Sequence, residues 1–209
     1  MTKDNADRSA GYDSHAPEFM SLRDPAMGVS VVRAWARELP AGGAILDLGC
    51  GHGVPISETL LGEGLAVHGI DAAPALVAAF RERFPNARVA CEAVVQSGFF
   101  GREFDGAVAW GLMFLLSAED QVTLIQRVAR ALRHGGRFLF TSPEQACTWT
   151  DVLTGRTSVS LGAERYRATL AEAGFTVMGE LDDEGENHYY DTKKSGQAAP
   201  SGATRPLKP

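Results

Sequence analysis

The sequence is poor in the residues that staple small folds and grip nucleic acids. Cysteine occurs three times in 209 residues, as Cys50, Cys91 and Cys147, an odd number at wide spacing with no C-x-x-C pair. That argues against a disulfide framework or a structural zinc site and favours a reducing compartment, so no metal and a cytoplasmic location are expected. Positive charge is also short: 20 Lys and Arg stand against 26 Asp and Glu, a formal net charge of −6. A nucleic-acid binder usually carries a basic footprint, so no nucleic-acid partner is expected. No run approaches the ~18 apolar residues of a membrane span. The opening MTKDNADRSAGYDSH has no apolar stretch of the signal-peptide kind.

What is present is enough apolar material, 44% of the chain, for one core. Polar composition predicts disorder for 1–11, and the Gly, Pro, Ser and Ala of 195–209 predict a loose tail, leaving 12–194 as the single domain. Within it strands and helices alternate. Apolar spacing predicts a helix over 25–39 with Val32, Trp35, Ala36 and Leu39 on one face. AILDL (44–48), LAVHGI (65–70), ARVACE (87–92), FDGAVAW (104–110) and RFLFTS (137–142) read as strands. Helices are expected near 54–62, 74–84, after a Ser117 cap, and over 163–174. Residues 143–161 read as irregular. FTVMGEL (175–181) and NHYYDTKK (187–194) flank the acidic turn DDEGE, too short for a crossover, and so should pair antiparallel. Strand–helix alternation implies an α/β fold, a mostly parallel sheet with helices on both faces, whose ligand lies beyond the carboxyl ends of the strands.

ILDLGCGHGVP (45–55) falls at such an end. Gly49, Gly51 and Gly53 follow a buried strand at alternate positions, where absent side chains let a ligand touch the backbone. Asp71 in GIDAAP stands 20 residues beyond Gly51, at the end of the second strand, where a carboxylate can accept hydrogen bonds from both hydroxyls of a ribose. A dinucleotide site wants G-x-G-x-x-G, and here Val54 occupies the third glycine's place. The pattern suits a different nucleotide-containing ligand.

The order and spacing of ILDLGCGHG, GIDAAPALVAAFRERFP, EFDGAVAWGLMFLL and ALRHGGRFLFTSP resemble a class I S-adenosylmethionine-dependent methyltransferase over about residues 12–194. The likeness is to the small-molecule branch, and GENHYYD is similar to the ends of small bacterial members. It implies a Rossmann-like seven-stranded sheet with an antiparallel last strand, S-adenosyl-L-methionine as cofactor, and a small-molecule methyl acceptor. It implies that Asp47, Gly49, Cys50 and Gly51, with Gly53, lie along the methionine part, that Asp71 holds the ribose, and that Ala72 borders the adenine. Glu92 and Ala93 fall where the family commonly has an aspartate near the adenine amino group. Trp110 and Gly111 would border the methyl, and Tyr12–Asp13 fits an N-terminal pair that closes over the cofactor.

Methyl transfer to a nucleophile needs mainly proximity and orientation, and a base only where the nucleophile arrives protonated. His15 and His188 are candidate bases because imidazole titrates near neutrality. Glu144, Trp149, Tyr189 and Tyr190 are candidate substrate contacts; along a strand His188 and Tyr190 face one way and Tyr189 the other. His52 reads either as a solvent-facing loop residue or as a contact at the reacting edge. The acidic run 182–186 reads as a solvated turn. The expected protein is a methyltransferase, monomer or homodimer, without membrane or nucleic-acid partners. Its rivals are a non-catalytic S-adenosylmethionine-binding partner or sensor and a nucleotide-dependent oxidoreductase.

Overall fold

The computed structural model describes residues 7–196. Its elements are helix α1 (Ala16–Leu22), α2 (Val29–Ala36), strand β1 (Ala44–Leu48), α3 (Ile56–Gly62), β2 (Ala66–Asp71), α4 (Pro74–Arg83) and β3 (Arg88–Cys91). There follow β4 (Phe104–Ala109), α5 (Ala118–Ala131), β5 (Leu132–Thr141), β6 (Cys147–Thr150), β7 (Thr157–Ser160), α6 (Ala163–Glu172), β8 (Phe175–Asp182) and β9 (His188–Lys194).

Seven strands form one sheet in the order β3-β2-β1-β4-β5-β9-β8. The pairs from β3 to β5 are parallel, whereas β9 runs antiparallel to both β5 and β8. The chain leaves β1 for one edge and returns to β4 on the other side, so a crevice opens between the carboxyl ends of β1 and β4. The α/β architecture expected from the sequence, with its terminal hairpin, is the one observed.

Side-chain alternation splits the core between two faces. Leu46, Leu48, Phe138, Phe140 and Tyr190 pack with α5 and α6 residues, including Leu124, Tyr166 and Leu170. Ile45, Val67, Val108, Leu139 and Tyr189 pack with Val32, Trp35 and Leu60 from α2 and α3. Each fully buried large side chain contributes about 1.5–3 kcal/mol against exposure. The Ser117 hydroxyl accepts the Asp120 N–H at 3.1 Å and caps α5.

The departures from the sequence reading are local. Residues 147–160 are not irregular: β6 and β7 form a separate two-stranded hairpin. Alternating Thr and Ser around Trp149 lack the apolar face by which strands are recognised, because this pair packs over the site rather than in the core. Strand β5 begins at Leu132, before Gly135–Gly136, through pairing of Phe104 with Leu132. Helix α1 was not anticipated; it lies across the carboxyl end of the sheet with Ala16 buried. Of the segment expected to be disordered, 1–6 lies outside the described residues, while 7–11 form a turn with Ser9 buried. Of the expected loose tail, 197–209 lies outside them, and the Ser195 N–H donates to the Gly174 carbonyl. No helix among the described residues is long and apolar enough to cross a membrane.

Candidate active site

The turn after β1 is built from backbone. The Gly49 and Cys50 N–H groups both donate to the Ile70 carbonyl, at 2.8 and 3.1 Å, tying the loop to the end of β2. Gly53 has φ +88°, and a Cβ there would stand 2.4 Å from the Phe84 ring, so only glycine lets the loop close against α4.

Asp71 completes the tie. One carboxylate oxygen accepts the Gly51 N–H and the other the Ala73 N–H, each at 2.8 Å. Burial pushes its pKa up, and those backbone donors oppose the shift. Each oxygen keeps a lone pair for a ligand.

The roof comes from the N-terminal segment and the β6–β7 hairpin. The Tyr12 hydroxyl donates to Asp151 at 3.2 Å, and Asp13 accepts the Ala75 N–H at 2.8 Å, at the start of α4. Asp7 pairs with Arg156 at 2.6 Å. Helix α1 brings in Phe19, and Arg23 follows it. The Arg23 guanidinium lies 4.4 Å from the Phe19 ring centre and 4.6 Å from that of Trp110. Its Nε is buried without a hydrogen-bond partner, and desolvation lowers its pKa to about 10.

Between floor and roof lies a cavity of about 580 Å³. Of the residues expected at the cofactor, Gly49, Gly51, Trp110 and Gly111 line it, as do Asp71, Ala72, Ala93 and Tyr12. Trp149 lines its far end beside Phe114, with ring centres 5.3 Å apart. Sequence reasoning missed Phe19, Arg23, Phe114, Asp151 and Arg156. An arginine in the short run SLRDP carries no pattern that separates it from a solvated one.

Other expected residues stand elsewhere. Asp47 is buried behind the loop, where the Ser57 hydroxyl donates to it. Burial raises its pKa to about 7, with the Ser57 bond opposing and the Asp71 charge adding. Cys50 turns inward against Gly69, away from the cavity, and burial lifts its thiol pKa well up. Gly53 faces Phe84 and Phe80 instead of a ligand. Glu92 accepts the Ser97 hydroxyl at 2.6 Å in the turn after β3 and does not line the cavity.

Neither candidate base reaches the site. His15 stands at the N-terminal boundary of α1 without a side-chain bond to the helix, its Nδ1 3.0 Å from the Gly11 carbonyl. His188 is held at 2.7 Å by Asp182 and at 3.4 Å by Glu180. Glu144 is exposed and uses its backbone carbonyl to receive the Ala163 N–H. Tyr190 stacks on Phe140 at 4.8 Å in the core, and Tyr189 lies behind Trp110 rather than in the cavity. The two tyrosines do face opposite sides of the sheet, as alternation requires. His52 is buried with its ring centre 6.0 Å from that of Phe19, not solvent-facing. Burial, then Arg23 and Arg83, hold its pKa down at about 4, so it is neutral.

These residues fit S-adenosylmethionine in kind: a side-chain-free floor, a carboxylate placed to receive hydroxyls, and a half-buried cation lining the cavity. Comparison with known proteins points the same way. Residues 45–136 match the family model described as a methyltransferase domain. Aklanonic acid methyltransferase DauC from Streptomyces sp. (strain C5) is 33% identical over 143 residues, 65% of this chain and 61% of the relative. The match thus spans about three-fifths of that relative's length. A solved structure of Burkholderia thailandensis 1,6-didemethyltoxoflavin-N1-methyltransferase, with its substrate and S-adenosylhomocysteine bound, superposes with TM-score 0.72. Its identity is 21%, with 90% of this chain and 87% of that one covered. The [4+2]-cyclase SpnF also superposes with TM-score 0.72, at 16% identity over 90% of this chain and 96% of that one. At such identities the two structures establish the fold alone.

Proposed function

We propose that the chain is a class I S-adenosylmethionine-dependent methyltransferase, as the methyltransferase-domain match and the 33%-identical relative support, and that it transfers the cofactor's methyl group to a nucleophilic atom of a small organic molecule, leaving S-adenosylhomocysteine. The observation that carries this reading is Asp71, locked to the glycine loop through Gly51 while lining the cavity.

In this reading the free lone pairs of Asp71 accept the ribose hydroxyls, and Ala72 and Ala93 border the adenine. The backbone at Gly49 and Gly51 lies along the amino-acid end. The Arg23 guanidinium, which lines the cavity, meets the carboxylate there in a charge-assisted hydrogen bond. Trp110 and Gly111 stand beside the methyl, where the indole face favours positive charge. The cofactor supplies an electrophilic methyl on a sulfonium, so the residues have to orient rather than activate. Tyr12 and Asp13 hold the roof shut.

Trp149 and Phe114 form an aromatic corner suited to a flat, apolar acceptor, in keeping with a relative named for aklanonic acid. Among the described residues no histidine, lysine or cysteine lines the cavity. Asp120 and Asp151 do line it, and a carboxylate can take a proton, so the acceptor is read either as arriving with a lone pair already free, as a carboxylate, a phenolate or an uncharged amine, or as giving its proton to one of these two. A cytoplasmic monomer or homodimer fits the acidic chain and its few cysteines.

Calorimetric titration with S-adenosylmethionine, S-adenosylhomocysteine and the nicotinamide dinucleotides tests the class. Micromolar binding of the first two alone supports the reading, and binding of a dinucleotide alone overturns it. Release of S-adenosylhomocysteine on addition of aromatic carboxylic acids or phenols then tests turnover. Tight cofactor binding with no transfer across such a panel would favour the non-methylating role that the shared fold of a cyclase makes concrete.

A further inference from the structure

Tyr189 lies outside the cavity, and it does more than fill the core between the sheet and α2–α3. Its ring is fully buried, and its hydroxyl lies between two polar partners. The Trp110 indole N–H donates to it at 2.6 Å, and it donates onward to an Asp183 carboxylate oxygen at 2.8 Å. Asp183 is fixed in turn, its other oxygen accepting the backbone N–H groups of Gly185 and Asn187 at 2.9 and 3.0 Å. The tight turn between β8 and β9 therefore has an interior purpose that a solvated acidic run would not serve.

The chain of hydrogen bonds ends on the ring that carries Arg23. A second device guards it. Gly28 has φ +72°, and a Cβ there would stand 2.4 Å from the Tyr189 hydroxyl and 3.0 Å from the Trp110 nitrogen. The backbone of the α1–α2 link thus closes directly over the hydroxyl–indole bond, and the Gly28 N–H donates to Glu184 of the same turn at 3.3 Å.

We propose that Tyr189 and Asp183 are positioning residues: they fix the plane of Trp110, and through it the Arg23 guanidinium, at the amino-acid end of the cavity. This rests on the methyl-transfer reading above. An indole bonded only to water could rotate and leave the guanidinium without its stacking partner. Bonded to a hydroxyl that a carboxylate polarises, it presents one face, and successive bonds in such a chain strengthen one another. The Phe19–Arg23–Trp110 stack then holds the arginine head in place, although its Nε has no protein partner.

The test uses the full chain and three probes: S-adenosylmethionine, S-adenosylhomocysteine and adenosine, the last lacking the amino-acid end. Tyr189→Phe should weaken S-adenosylhomocysteine binding five- to twentyfold in calorimetry and leave adenosine binding within twofold. In a Trp110→Phe background, which keeps a ring but loses the donor, Tyr189→Phe should add no further loss. Asp183→Asn, in the partly exposed turn, should show the same selectivity at about threefold and covers the case in which Tyr189→Phe does not fold. Equal losses for adenosine and S-adenosylhomocysteine would mark Tyr189 as merely structural and overturn the assignment. So would an undiminished effect in the Trp110→Phe background, or unchanged affinity for every probe. Wild-type protein that binds neither adenosyl cofactor would bring down the methyl-transfer reading itself; wild type that binds, with variants indistinguishable from it, brings down only this assignment.

Discussion

The floor and the roof of the cavity are held by different kinds of contact. The floor hangs from the buried ends of β1, β2 and β4. Gly49, Cys50 and Gly51 spend their N–H groups on Ile70 and Asp71, and Gly111 donates to the Thr141 hydroxyl at 2.8 Å. The roof, from Asp7 to Arg23 and over the β6–β7 hairpin, is held by a tyrosine–carboxylate bond, an Asp7–Arg156 pair with both side chains near half exposed, and an Arg8–Gln96 contact. Buried backbone bonds between strand ends resist opening, whereas exposed pairs contribute about 0–1 kcal/mol each. A rigid floor can specify a cofactor while a weakly pinned roof lets reactants pass.

The largest effect that sharpens this contrast is expected in the floor. Asp71→Ala removes the carboxylate proposed to accept the ribose hydroxyls and leaves the Gly51 and Ala73 N–H groups without their partner. Affinity for S-adenosylmethionine should fall by one to two orders of magnitude, from losing about 1.5–3 kcal/mol of charged hydrogen bonding. Calorimetry that finds the affinity unchanged would remove the ribose assignment.

Asp47 gives the floor a pH signature that the roof lacks. Its folded pKa of about 7 lies above the ordinary carboxylate value, chiefly through burial. A group whose pKa is raised on folding stabilises the fold at low pH and loses that contribution as pH rises through the folded value. Asp47 should thus cost stability progressively from about pH 4 to pH 7, by up to ~1.4 kcal/mol per pH unit. Asp47→Asn should flatten that slope in urea unfolding compared at pH 5 and pH 7.5. A slope unchanged from wild type would show that Asp47 ionises alike in both states.

The same contrast explains how far the sequence could be read. The floor was legible because its parts are local and periodic: a buried strand, alternate glycines, an acid at the next strand's end. Each is set by backbone geometry that few residue types satisfy. The roof is assembled from pairs distant in sequence, such as Tyr12 with Asp151 and Asp7 with Arg156, and no spacing rule announces them. Trp149 lines the cavity as a wall, but its strand pair was not legible, because the positions that β7 buries are Ser158 and Ser160, which leave no apolar alternation. The histidines misled for a related reason. His15 and His188 lie in segments that approach the site, yet the Gly11 carbonyl and two carboxylates claim their rings. Asp47 and Cys50 belong to the motif by sequence, but the turn aims them at the core, so the motif serves folding as well as binding.

A smaller effect should follow from loosening the roof where the N-terminal segment meets the β6–β7 hairpin. Tyr12→Phe keeps the ring against Phe19, whose centre lies 5.3 Å away edge-to-face, and removes only the bond to Asp151. Asp151 also accepts the Leu153 and Thr154 N–H groups at 3.1 and 2.8 Å, so the hairpin turn survives the loss. Thermal stability should change by no more than about 1 kcal/mol. The bound cofactor should nonetheless leave about two- to fivefold faster in stopped-flow displacement, because the roof opens more often while the floor is unaltered. A variant that loses stability instead, with its off-rate unchanged, would show that Tyr12 braces the fold and not the roof.

The smallest expected effect is Arg156→Ala. The Asp7–Arg156 pair is formed at 2.6 Å, but its side chains remain 42% and 48% exposed, where water and salt screen the attraction. The Ser9 hydroxyl and N–H also donate to the Asp7 carboxylate and hold that pKa low, the hydroxyl bond being the leading cause. Removing the arginine therefore leaves the N-terminal turn intact, and the melting temperature should move by less than 2 °C. A double-mutant cycle with Asp7→Ala should give a coupling below about 0.5 kcal/mol that vanishes in molar salt. A coupling of 2 kcal/mol that survives salt would mean that the roof is as firmly built as the floor, and the division of labour drawn between them would fail.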